Sequence, residues 1–188
     1  ITQLKIWKLW IPFVYSNIKS VRANRGIAYY NKGVAYKQKA MYLPLEKKYL
    51  AYQFLGDAIT AYTKSLKFLK KNYDIYYNRA VAHHLRGEYK EAGLDYCKAI
   101  DIEPMRFDSH YNLAVLLRQL NRYNDSLSEL QKAAMLIVEE PDSSTLQSAY
   151  IFNLLNEVSR KLISSDEYYA QKVTDEPTAG ISYTYVNG

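Results

Sequence analysis

The chain repeats itself every 34 residues, and no other feature constrains its fold as tightly. Tyr76-Tyr77-Asn78, Gly87, Tyr89, Ala92, Tyr96, Ala99 and Pro104 return as His110-Tyr111-Asn112, Asn121, Tyr123, Ser126, Leu130, Ala133 and Val138. A fixed period of this size calls for stacked helix pairs, because a single pair cannot bury its apolar face alone. With seven Gly and five Pro in 188 residues, turn chemistry is scarce, which favours long helices over a many-turned β fold. The length suits one domain with a continuous core.

An earlier copy opens on Asn31, Gly33 and Tyr36 and closes on Ala58, Tyr62, Ser65 and Leu66. Asn31 lies 27 residues before Ala58, whereas Asn78 lies 14 before Ala92, so 13 extra residues sit between the two helices of this unit. The insertion, near 37–57, carries no Gly/Ser linker chemistry, and Leu43-Pro44 is its one sharp break. A longer helical hairpin is expected, each arm gaining roughly two turns. The regular pairs are expected at Asp74–Arg86 with Tyr89–Ile102, then Asp108–Leu120 with Tyr123–Val138.

Residues 25–140 thus read as three helix pairs. Ser144 and Gln147 fit a capping box that opens a capping helix over 141–164, with Tyr150, Leu154, Leu155, Val158 and Leu162 along one side. Residues 165–188 read as a loose tail. Residues 1–24 form an apolar segment. Its start, ITQLKIWKLWIPFVY, is too short and too lysine-marked to span a bilayer, which takes about 20 apolar residues. Two readings stay open there: packing on the end of the stack, or a membrane-proximal segment contacting lipid through residues 1–15, where Trp7, Lys8 and Trp10 suit the interface. Because the chain begins at Ile1, the natural start is expected to lie upstream, and whether a signal or anchor stands there is left open.

Tyr77-Asn78, Ala80, Gly87-Glu88-Tyr89, Glu91-Ala92, Tyr96, Lys98-Ala99-Ile100 and Pro104 together resemble the tetratricopeptide repeat. The next unit departs from that pattern by Asn121 for Gly, Ser126 for Ala and Val138 for Pro; the first departs by its insertion. The resemblance covers about three repeats. It implies an all-α, right-handed superhelix with extra helices at both ends, whose first helices line a concave groove for extended peptides or partner helices.

Carried over residue by residue, it places Tyr30, Asn31, Val34 and Lys37 along that groove. Asp74, Tyr77, Asn78, Val81 and His84 follow, then Asp108, Tyr111, Asn112, Val115 and Arg118. An asparagine amide can both donate to and accept from a peptide main chain, so the column Asn31, Asn78 and Asn112 suits recognition that depends little on sequence. Tyr30, Tyr77 and Tyr111 would add rigid contact area, and Lys37, His84 and Arg118 a cationic edge. A subclass of such domains clamps a C-terminal carboxylate with basic residues at the start of the third unit. Asp108 and Asn112 stand there in this chain, which argues against that ligand.

Met41, Tyr42, Leu43 and Leu45 at the insert tip form a second candidate contact surface; the other reading folds the tip back onto Trp7, Trp10 and Phe13. The net charge of +6 favours acidic peptide segments or an anionic membrane over nucleic acid, because Lys and Arg are spread along the chain without a dense run. No catalytic constellation is evident, so an enzyme is not expected. His83 and His84, about 100° apart on a helix, cannot chelate one metal together, and His83 and His110 read as core residues. Cys97 stands alone, and no phosphate loop is present, so neither metal nor cofactor is expected. The expected function is a scaffold or assembly factor holding a protein segment in the groove. The alternative is a structural subunit fixed in a larger, membrane-associated complex through the insert tip and tail. The compartment, membrane-associated or cytoplasmic, stays open.

Overall fold

The computed structural model describes the backbone of residues 2–138 and 145–175, and the side chains of 15–137 and 149–164. The side chains of Trp7, Trp10 and Phe13, the Ser144 cap and the chain beyond Asp175 lie outside the described residues. The architecture is an all-α superhelix of helices α1 (Thr2–Met41), α2 (Lys48–Leu66), α3 (Tyr73–Leu85), α4 (Tyr89–Ile102), α5 (Phe107–Gln119), α6 (Tyr123–Val138) and α7 (Thr145–Asp175). Each packs on the one before and the one after it, and α3 also touches both α1 and α5, so that the three form one continuous face.

Small residues recurring at the period set the spacing. Ala58, Ala92 and Ser126 are wholly buried, as are Ser65, Ala99 and Ala133. A small side chain at each place lets neighbouring helices approach closely. Where serine replaces alanine, its hydroxyl is spent locally: Ser126 Oγ donates to the Ala114 carbonyl at 2.8 Å, and Ser65 Oγ to the Gly26 carbonyl at 2.7 Å. Large rings fill what remains. Tyr62 and Tyr96 are almost fully buried, and Leu130 takes the equivalent place in the third pair. Tyr89, at the start of α4, is by contrast partly exposed.

The turns repeat too. Gly87 has φ +77° and Asn121 has φ +59°, the left-handed conformation that glycine adopts freely and asparagine tolerates better than other residues. At both, the helix closes with the same pair of bonds: Glu88 N to His83 O and Gly87 N to His84 O, then Arg122 N to Leu117 O and Asn121 N to Arg118 O. This accounts for Asn121 standing where the pattern has glycine. The start of α3 is capped by Asn72, whose Oδ1 accepts from Ile75 N at 3.1 Å.

The first hairpin spends its 13 extra residues unevenly. Helix α1 ends ten residues past Asn31, where α3 ends seven past Asn78. A short 3₁₀ turn (Leu45–Lys47) follows Pro44, and α2 then starts ten residues before Ala58, where α4 starts three before Ala92. The second arm therefore gains two turns and the first less than one. Pro44 accounts for the asymmetry: it restricts the residue before it and cannot continue a helix, so the break falls close to the end of α1.

At the ends, α1 is one helix from Thr2, with no break where the apolar segment meets the repeats. Helix α7 starts at Thr145 and continues to Asp175, past the point where the apolar pattern loosens. Ile151, Leu154 and Val158 are its buried positions, and Tyr150, one residue or about 100° round from Ile151, is exposed.

Candidate functional site

The face formed by α1, α3 and α5 carries a ladder of tyrosines and asparagines. Tyr30, Tyr77 and Tyr111 occupy one register, each half-buried. Tyr30 tilts against Tyr62 with ring centroids 6.0 Å apart, and Tyr77 against Tyr96 at 6.2 Å. The Tyr30 and Tyr77 hydroxyls each meet the asparagine of the next helix along this face. Asn78 Nδ2 donates to Tyr30 Oη at 3.3 Å, and Asn112 Nδ2 donates to Tyr77 Oη at 2.9 Å. A further bond, Ser109 Oγ to Tyr73 Oη at 2.9 Å, ties α5 to α3 in the same direction.

The three asparagines differ in how much hydrogen-bonding capacity they keep. Asn78 also donates to the Asp74 carbonyl at 2.7 Å, and its Oδ1 accepts from Lys37 Nζ at 2.6 Å, which leaves one acceptor lone pair. Asn112 spends one donor on Tyr77, while Asn31 is exposed and no described side chain bonds its amide. The ladder ties neighbouring units together, and the amide capacity it leaves uncommitted is greatest at Asn31, smaller at Asn112 and least at Asn78.

Lys37, His84 and Arg118 each reach into the next helix pair. Lys37 binds Asn78 as above, His84 Nε2 meets Gln119 Oε1 at 2.9 Å, and Arg118 pairs with Glu157 of α7 at 2.7 Å. These are clasps between successive units. Burial lowers the Lys37 pKa from its ordinary value. The acids are less committed: Asp74 is exposed on the first turn of α3, and Asp108 shares an exposed contact with Arg106 at 3.2 Å.

Burial raises the tyrosine hydroxyls, with Asp74 adding to the effect at Tyr30 and Asp108 at Tyr77, which is pushed up to about 12. The hydroxyls therefore remain neutral donors and acceptors across the physiological range. Val34, Val81 and Val115, half-buried between the rungs, pack against the core.

The insert-tip residues are far from the ladder's middle rungs in chain and fold. Met41, Tyr42 and Leu45 are exposed, while Leu43 is half-buried. A cavity of about 590 Å³ lies elsewhere again, between α4 and α6 over Leu113, Leu116 and Leu117 of α5, with Leu94 and Cys97 on its wall. Cys97 is an exposed free thiol whose pKa is raised by partial desolvation and by the nearby Asp101 and Glu129. His110 is buried against Glu129 (2.7 Å) and the Pro104 carbonyl (3.0 Å); His83 lies against Glu88. Among the described residues no cluster of His, Cys, Asp or Glu could hold a metal ion.

Sequence reading missed a bidentate, largely buried ion pair. Arg79 grips Asp95 through Nε at 2.6 Å and Nη2 at 2.8 Å, joining α3 to α4, with Asp95 buried. The signal was an arginine and an aspartate 16 residues apart on facing helices. It is invisible to a search for the 34-residue repeat, because Leu113 and Glu129 hold those places in the next unit.

Comparison with known proteins agrees with this architecture. A tetratricopeptide repeat family model matches residues 73–104 and 107–137. Sperm-associated antigen 1 of Rattus norvegicus is 32% identical over 88 residues, 47% of this chain and only 10% of that protein's length. Among solved structures, the Arabidopsis OM64 TPR domain is similar with a TM-score of 0.56 at 19% identity, covering 72% of this chain and 98% of that one. The TPR2B domain of yeast Sti1 in its pHsp70 complex gives 0.54 at 24% identity, covering 68% and 98%. Yersinia enterocolitica SycD with a peptide of the translocator YopD gives 0.56 at 16%, covering 68% and 92%. At these identities the structures speak to the fold alone. Two adjacent units, 73–104 and 107–137, thus match the tetratricopeptide repeat, and the described helices share the fold of the solved tetratricopeptide domains.

Proposed function

We propose that this protein is an interaction module that holds an extended partner segment along α1, α3 and α5. The observation that carries the reading is the tyrosine–asparagine ladder, which places the same two side chains at one register on three successive helices. Tyrosine offers rigid area with little entropy to lose, and the uncommitted amide groups of Asn31 and Asn112 suit a peptide backbone. Solved relatives of the same architecture were captured with peptide ligands, including the pHsp70 complex of Sti1 and the YopD peptide of SycD, which supports a peptide-binding role here.

The partner's chemistry follows from the charges not spent between units, Asp74 and the Asp108 that shares an exposed contact with Arg106. Lys37, His84 and Arg118 are engaged between units, whereas Asp74 and Asp108 edge the groove beside Tyr30 and Tyr77. The groove therefore suits an internal segment carrying Lys or Arg, and not a free C-terminal carboxylate. A peptide-display selection followed by anisotropy titration tests this. Selected peptides should be enriched in basic residues, bind equally with free or amidated C termini, and lose affinity when Asp74→Asn and Asp108→Asn are combined. Selection of acidic peptides that need a free carboxylate would overturn it.

A further inference from the structure

The even spread of lysine and arginine conceals a strong polarity, because the acids are not spread. Residues 1–73 carry fourteen Lys and Arg against two acids, Glu46 and Asp57; residues 74–188 carry eleven against seventeen. The first hairpin with its lead-in is thus strongly cationic and the remainder of the chain anionic. The cationic part also holds the most exposed apolar side chains. At the tip of α1 and α2, Tyr42, Leu45 and Tyr49 are 87%, 90% and 76% exposed, with Met41 beside them.

The tip is also a projection. Helix α2 begins two turns earlier than its counterpart α4, which carries the tip about 10 Å beyond the neighbouring turn at 1.5 Å per residue. Its base is braced. The Arg86 guanidinium lies over the Tyr52 ring at 4.2 Å, and close to Gly56, where an added Cβ would meet Arg86 Nη1 at 3.3 Å. Lys39 lies over the Phe54 ring at 4.3 Å, and Lys47 and Lys48 stand exposed on the turn itself, against Glu46 alone.

From this we infer that the hairpin tip docks on an anionic lipid surface, placing Tyr42, Leu45 and Tyr49 among the headgroups while Lys39, Lys47 and Lys48 meet their phosphates. Tyrosine favours the membrane–water boundary, where its ring is apolar and its hydroxyl wet. Basic residues next to an anionic leaflet add electrostatic attraction, and neither signal alone anchors firmly. A protein partner would need a concave acidic socket for this knob, whereas a headgroup layer accommodates any convex tip. A nucleic acid would leave Leu45, the most exposed of these side chains, against phosphate. Among the described residues no helix is long and apolar enough to cross a membrane, and the contact inferred is one of surface.

The test is co-sedimentation of the full chain with vesicles of phosphatidylcholine alone or mixed with phosphatidylserine. Wild type should bind the phosphatidylserine vesicles, weaken as salt is raised, and ignore the neutral ones. Tyr42→Ser with Leu45→Ser, and separately Lys47→Glu with Lys48→Glu, should each reduce binding by roughly tenfold or more. Their circular dichroism and groove-peptide affinity should not change, since the four replaced side chains are exposed and join no buried cluster. The inference is overturned if both double variants bind as wild type does, which would place any lipid contact elsewhere on the chain. It also fails if wild type ignores anionic vesicles, or if it binds an RNA oligonucleotide that such vesicles cannot displace.

Discussion

The first hairpin and the second are built on one register yet are held together differently. In α1–α2 the tight contact is steric: Gly33 sits where a Cβ would come within 2.5 Å of the Tyr62 ring. In α3–α4 the same position is Ala80, wholly buried, and the hairpin carries the Arg79–Asp95 pair in addition. The first hairpin has Lys32 and Ala61 at those two places and no such tie. Small residues and rings fix where helices lie, while polar ties are local choices each unit makes for itself. The first hairpin could therefore take on 13 residues at its turn: the added length leaves the base in register, buries Ala40 and Leu55 between its arms and exposes only the tip.

The largest effect separating the two hairpins is expected at Asp95. Replacing it by Ala strands the Arg79 guanidinium in a mostly buried place and should cost about 3 kcal/mol, read from the denaturant midpoint. A shift below half of that would mean the pair is no firmer than a surface one. Next comes Gly33→Ala. Alanine gains roughly 1 kcal/mol in helix propensity, but crowding Tyr62 should leave a net loss of about 1–2 kcal/mol. Ala80→Gly should also destabilise, by about 1 kcal/mol. If Gly33→Ala stabilised, the two hairpins would share one packing rule after all.

About 1 kcal/mol is expected for Asn112→Ala, which removes the rung to Tyr77; the thermal midpoint measures it, and unchanged stability would show the rung to be idle. The acid response should be more modest. The hydrogen bond from His110 holds the Glu129 carboxyl below its ordinary value. Its folded pKa is depressed, so the stability it contributes is present above the ordinary carboxylate range and is lost as pH falls through the lower, folded value. Glu129→Gln should flatten that acid limb in denaturation midpoints taken from pH 6 downward. The smallest effect is Tyr62→Phe. The buried Tyr62 hydroxyl has no partner among the described residues, whereas Tyr96 Oη has a long one, His84 Nδ1 at 3.5 Å. Tyr62→Phe should be neutral or stabilising by about 0.5 kcal/mol, and Tyr96→Phe slightly destabilising.

Periodic features were legible in the sequence, and pairwise ones were not. Ala92, Ala99, Tyr96 and Gly87 recur at a fixed spacing, so one unit announces the next, and the left-handed turn at Asn121 follows from its register with Gly87. The place of the insertion was legible from a broken interval. How it divides was not, because Pro44 decides the break and leaves both arms helix-compatible. The positions carried over from the repeat pattern fall on α1, α3 and α5, but their bonding was not legible. Lys37, His84 and Arg118 look like free cations in sequence, and only the stack shows that each lies within reach of an acceptor on the next pair. Exposure behaved likewise at Tyr150, where a turn of 100° separates a buried stripe from solvent.

The central claim, that the tyrosine–asparagine ladder is the recognition surface, is tested most directly by mapping a bound peptide. Backbone amide shifts of the labelled chain would be followed while a display-selected peptide is titrated in. The account predicts that perturbations gather on Tyr30, Asn31, Tyr77, Tyr111 and Asn112. Perturbations centred instead on α4 and α6, around Leu94 and Cys97, would contradict it.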